Sequence, residues 1–64
     1  MLLNVTHNGL SQDFDLGDVT LDDGDVRRVA AEILQVEPAT FAVFVIDRMP
    51  NNKVYLRPKV PFGA

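Results

Sequence analysis

The spacing of apolar residues changes period several times along this chain, and each change predicts an element. Leu3 and Val5 alternate with polar neighbours up to His7-Asn8-Gly9, and beyond it Leu10, Phe14 and Leu16 alternate with Ser11, Asp13 and Asp15. Two period-two segments about such a turn predict a β-hairpin over residues 2–16, with Gly9 supplying the positive φ of a tight connection. Its second strand separates a core face from a wet face that holds Ser11, Asp13 and Asp15. After Gly17-Asp18 the period lengthens. Val26, Val29, Ala30, Ile33 and Leu34 fall at i, i+3, i+4, i+7 and i+8, the apolar stripe of a helix over residues 22–35. Thr20 or Asp22 can cap it, and the aspartates of the first turn favour the positive end of its dipole. Arg27, Arg28, Ala31 and Glu32 fall on the outward side, with Arg28 and Glu32 an opposite-charge pair four residues apart.

Glu37-Pro38-Ala39-Thr40 ends the helix, because proline disfavours helical geometry in the residue before it. A second hairpin is expected over residues 41–57. Its first strand, Phe41 to Ile46, is apolar throughout, and Met49-Pro50-Asn51-Asn52 makes the turn. Lys53-Val54-Tyr55-Leu56-Arg57 alternates again, and Pro58 and Pro61 end regular pairing in a short tail, 58–64. The order ββαββ predicts an α+β fold in which a four-stranded sheet packs on one helix. No repeat, linker or low-complexity run divides the 64 residues, so one small domain is expected.

The doubly apolar strand raises a question of function. If the helix covers Phe41, Val43 and Val45, then Ala42, Phe44 and Ile46 face away with alternate residues of the neighbouring strand. Monomers seldom leave a large apolar patch bare, so this face reads as a protein-contact surface centred on Phe44, Ile46, Tyr55 and Arg57. Alternatively the tail Val60-Pro61-Phe62 folds back over it. Either another protein or a second copy of the chain would suit the surface.

Composition narrows these readings. A chain of this size buries only about 60% of the surface its unfolded form exposes, so its stability margin is small. It has no cysteine, which removes disulfides, thiolate zinc sites and cysteine nucleophiles and points to a reducing, cytoplasmic setting. The longest apolar run, Phe41 to Ile46, is far too short to cross a bilayer, and Met1-Leu2-Leu3-Asn4 does not open like a signal peptide. No membrane role is expected. The net charge of -3 is unevenly distributed. Six aspartates and no cation lie within residues 1–25, whereas residues 26–64 carry six cations against three anions.

Few constellations could carry chemistry. His7 stands alone in the expected turn, and a grouping with Ser11 and Asp13 lacks the geometry of a base-activated serine. The aspartates invite a calcium loop, but counting from Asp13 puts Gly17 where the fifth-position oxygen should be. Capping and solvation explain them instead. Arg48, Lys53, Arg57 and Lys59, with Tyr55 among them, are spaced to share one strand face that could track phosphate, but an overall pI near 4.7 argues against nucleic acid. The chain is therefore expected to be non-enzymatic, with no catalytic residue, metal or cofactor.

The first hairpin about Asn8-Gly9, the helix Asp22 to Gln35 and the final strand Lys53-Val54-Tyr55-Leu56-Arg57-Pro58 resemble the small bacterial ubiquitin-like β-grasp domains. That resemblance implies a protein-binding module that docks partners on its sheet face. Members that conjugate or carry sulfur end in Gly-Gly, whereas this chain ends Phe62-Gly63-Ala64, so conjugation would require processing to expose Gly63. Thr20-Leu21-Asp22 and Pro38-Ala39-Thr40-Phe41-Ala42-Val43 also look like segments of the small phage-encoded inhibitors of bacterial RNA polymerase. This second resemblance implies charge-complementary binding to a host enzyme. A homodimeric structural protein is a further alternative.

Overall fold

The computed structural model describes residues 1–59. Strands β1 (Leu2–His7) and β2 (Leu10–Asp15) form the expected antiparallel hairpin, with Leu3 opposite Phe14 and Val5 opposite Gln12. Asn8 and Gly9 connect them at φ of 52° and 77°. A two-residue connection with positive φ at both positions matches the twist of the flanking strands, which is why an Asn-Gly pair belongs there.

Helix α1 (Asp23–Leu34) begins and ends within a residue of its expected bounds. Of the two candidate caps it is Asp22 that acts, its carboxylate accepting from the Asp25 N–H at 2.8 Å. At the other end Gln35 takes the left-handed conformation, φ 56° and ψ 47°. This lets the Val36 N–H reach back to the Ala31 carbonyl at 3.0 Å and satisfy a group the helix leaves open.

The expected strand from Phe41 to Ile46 is not one element. Pro38–Phe41 forms a 3-10 helix that Pro38 opens, since its ring presets φ and it lacks only an N–H that would be unpaired there. Strand β3 (Val45–Met49) starts only afterwards. Turns link the two through hydrogen bonds three residues apart, from the Ala42 N–H to Ala39 O at 3.1 Å and from the Phe44 N–H to Phe41 O at 3.1 Å. A three-residue spacing puts Phe41 and Phe44 on the same side, where an alternating strand would have put them on opposite sides. Phe41 is fully buried, its ring edge-on to that of Phe44 at 4.8 Å between centroids. From Phe44 onward the spacing is two, so Ile46 also turns inward while Val43 and Val45 are exposed. Phe41 keeps its expected place in the core, and the face assignment is reversed from Val43 to Ile46.

Strand β4 (Lys53–Arg57) follows the Pro50-Asn51-Asn52 connection, where Asn51 and Asn52 hold positive φ of 65° and 58°. The sheet order is β2-β1-β4-β3, with the central pair β1 and β4 parallel and both outer pairs antiparallel. Among the described residues the result is an α+β fold of one α-helix and a four-stranded mixed sheet. The tail from Val60 to Ala64, including the residues expected to cover a sheet face or to be processed, lies outside the described residues.

The core lies between this sheet and the helix. Leu3 and Val5 of β1, Val54 and Leu56 of β4, and Val26, Ala30 and Ala31 of α1 enclose Phe41. The helix is rotated by about one position from the expected stripe: Ala31 is buried, whereas Ile33 is exposed. Arg27 also points inward rather than to solvent. Its Nε donates to the Phe41 carbonyl at 3.0 Å and its terminal nitrogen to the Phe44 carbonyl at 3.1 Å. The two alanines let the 3-10 segment approach the helix closely, and the Arg27 stem covers apolar surface while its head satisfies those carbonyls.

Two stability changes follow. Arg27→Met keeps the stem and removes two charge-assisted hydrogen bonds, so urea unfolding should show a loss of about 2 kcal/mol, whereas Arg28→Met, on the open side of α1, should leave the midpoint unchanged. Gln35→Gly removes the side chain from a left-handed position and should raise stability by about 0.5–1 kcal/mol, read as a higher thermal midpoint.

Candidate functional site

One face of the sheet packs on the helix, and among the described residues nothing packs on the other. Residues adjacent along a strand point to opposite faces. With Leu3, Val5, Val54 and Leu56 directed into the core, Leu2, Asn4 and Thr6 of β1 and Lys53, Tyr55 and Arg57 of β4 line the outer face. Pairing extends these rows across the sheet. Asp15, Leu2, Lys53 and Met49 form one row, and Asp13, Asn4, Tyr55 and Asp47 the next.

Four large apolar or aromatic side chains lie among the polar ones in the middle and on the β3 side of this face. Leu2, Val45, Met49 and Tyr55 are 36%, 39%, 43% and 37% exposed, high values for large side chains in regular strands. Polar groups on it are tied to one another. Asn4 Nδ2 donates to Ser11 Oγ at 2.9 Å and to Asp13 Oδ1 at 2.8 Å, bracing β1 against β2. Arg57 donates to Asp47 diagonally across β4 and β3.

The four residues expected to form the contact surface divide between the two faces. Tyr55 and Arg57 lie together on the outer face. Phe44 and Ile46 pack partly buried against the core on the helix side. In their place the outer face carries Val45 and Met49 from β3 and Leu2 from β1. Leu2 and Met49 were legible in principle, since each is registered against Lys53, but finding them required the strand order and the true start of β3.

Other expected groupings also separate. Arg48 lies on the helix side, donating to the Leu21 carbonyl at 2.9 Å and to Asp23 Oδ1 at 2.7 Å, so it does not share a face with Lys53, Tyr55 and Arg57. His7 is half-buried rather than exposed, its ring centroid 5.7 Å from that of Phe41 and 6.2 Å from that of Phe44. Ser11 and Asp13 face the other way, towards Asn4, so the three do not meet. The aspartates mostly have structural partners: Asp22 caps α1, Asp23 holds Arg48, and Asp15 accepts from the Gly17 N–H at 2.9 Å. On the open side of α1 the Arg28 guanidinium is held above its ordinary pKa, chiefly by its hydrogen bond to Asp25 and then by the charges of Asp25 and Glu32.

The two faces predict opposite outcomes for similar substitutions. Phe44→Asp should cost about 2–4 kcal/mol, because it removes an aromatic from the cluster with Phe41 and His7 and puts a carboxylate there. Tyr55→Asp should retain the native amide spectrum and cost no more than about 1 kcal/mol. Compared with protein-family models, curated proteins and solved structures, the chain matches none.

Proposed function

We propose that this chain is a non-enzymatic protein-binding module of the ubiquitin-like type, which docks its partner on the outer face of the sheet. The strand order β2-β1-β4-β3 about a parallel central pair, with one helix across the opposite face, supports that reading, because a β-grasp sheet has this arrangement. The observation that carries it is the set of exposed apolar side chains, Leu2, Val45 and Met49 placed diagonally about Tyr55, on a face that no described element covers. Tyr55 among them and Arg57 at the end of β4 are residue types that anchor interfaces. The contact residues we assign are therefore Tyr55 and Arg57 with Leu2, Val45 and Met49.

Size sets the character of the contact. Four strands about 4.8 Å apart and five to six residues long offer roughly 300 Å² in projection, well under the ~800 Å² per partner of a standard interface. The docking is thus weak and reversible unless the partner reaches past the sheet. The absence of cysteine fits a reducing, cytoplasmic setting, and among the described residues no helix is long and apolar enough to cross a membrane.

A photo-activated cross-linking residue at position 55 tests this in the source cell, with the same residue at Val43 as control. Val43 is 74% exposed but lies off the face. A discrete protein adduct from position 55 and none from position 43 is the expected result. No adduct from position 55, or the same adducts from both positions, would contradict the assignment.

A further inference from the structure

The two strands that flank β1 place opposite charges on the outer face, while Asp47 of β3, beyond β4, is paired with Arg57. Leu2 is registered against Asp15 of β2 on one side and against Lys53 of β4 on the other. In the next row Asn4 lies between Asp13 and Tyr55. The ionisable side chains that β2 places on this face are thus anions, and the charges that β4 places there are the cations Lys53 and Arg57.

Asp15 and Lys53 lie two strand spacings apart, about 10 Å, too far to pair with each other within one chain. Among the described residues Lys53 forms no ion pair, and one carboxylate oxygen of Asp15 is used only for the Gly17 turn. Arg57, by contrast, is already tied to Asp47, and Asp13 to Asn4.

We propose that this face binds a second copy of the chain about a two-fold axis running along β1. The inference rests on reading the outer face as a contact surface and names an occupant for its β2, β1 and β4 portion, with Val45 and Met49 of β3 left at the rim. Rotation by 180° about a line parallel to β1, midway between two facing sheets, lays β1 on the partner subunit's β1 and β2 on its β4. Leu2 then meets Leu2 of the partner subunit at the axis. Asp15 meets Lys53 of the partner subunit, and Lys53 meets Asp15 of the partner subunit, so the same ion pair forms twice. Asp13 comes opposite Tyr55 of the partner subunit, whose hydroxyl can donate to it. Strand directions in the two sheets stay nearly aligned, as in face-to-face sheet packing. Along the axis Leu2 is followed by Asn4 and Thr6, and opposite charges placed symmetrically on either side of such a line are what a self-complementary, two-fold contact requires. Unrelated partners impose no such symmetry on the face they bind.

The small overlap makes the dimer weak, so sedimentation must extend to about 1 mM chain at low salt. Wild-type protein should shift from monomer to dimer over this range. Raising the salt from about 0.05 to 0.5 M should loosen the dimer several-fold, because partly exposed ion pairs are screened.

Asp15→Lys and Lys53→Asp should each weaken self-association at least about tenfold, since each replaces two attractions with two repulsions. Mixed in equal amounts, the two variants should associate with each other, because one then supplies only lysines and the other only aspartates at these positions. Amide spectra establish that both variants fold. If Asp15→Lys disturbs the Gly17 turn, Lys53→Asp alone and the salt series carry the test.

Wild-type protein that stays monomeric up to about 1 mM, or a dimer indifferent to both reversals, would overturn the two-fold pairing. A monomeric protein that still gives a cross-linked adduct to another protein from position 55 would sink self-pairing and leave the docking face standing. Failure of that cross-link would remove the face itself.

Discussion

Arg27 holds two backbone carbonyls, those of Phe41 and Phe44, and thereby fixes the segment that decides which side of β3 faces the core. The carbonyls flank the turn between the 3-10 helix and the strand. A cation on the facing helix donates to both, adding to the Phe44 N–H bond that the Phe41 carbonyl already accepts and giving the Phe44 carbonyl a partner, so the turn can pack against α1. With the turn held, Phe41 and Phe44 enter the core together and His7 closes against both rings. The phase of β3 follows: Ile46 inward, and Val45, Asp47 and Met49 outward. The composition of the outer face is thus set from the opposite side of the sheet.

Much of the architecture is legible in local chemistry. Asn8-Gly9 demands a hairpin, Asp22 three residues before Asp25 caps a helix, and the alternation from Lys53 to Arg57 gives both faces of β4. Each signal lies within a few residues and has one physical cause. Phe41 to Ile46 is different because its apolar residues serve two elements in series, one with a period near three and one with a period of two. A uniformly apolar run erases the contrast by which period is read. Arg27 was illegible for a related reason. Its side chain answers carbonyls fourteen and seventeen residues away, and no spacing within the helix announces them.

The candidate site inherits both outcomes. Tyr55 and Arg57 are legible as outer-face residues because β4 alternates cleanly. Phe44 and Ile46 are not, because a turn with a period near three precedes β3 within the same apolar run. The observed phase exchanges one apolar set for another, Leu2, Val45 and Met49, so the outer face carries exposed apolar side chains from different residues. The uneven charge along the sequence also becomes spatial in one place, where β1 separates the aspartates of β2 from the cations of β4.

The phase of β3 decides which side chains reach the core and which reach the outer face, and contacts between aromatic protons report it directly. A nuclear Overhauser spectrum should connect the Phe44 ring with the rings of His7 and Phe41 and show no contact between Phe44 and Tyr55. Contacts between the Phe44 and Tyr55 rings, with none to His7, would place Phe44 on the outer face and contradict both the role of Arg27 and the assignment of the docking surface.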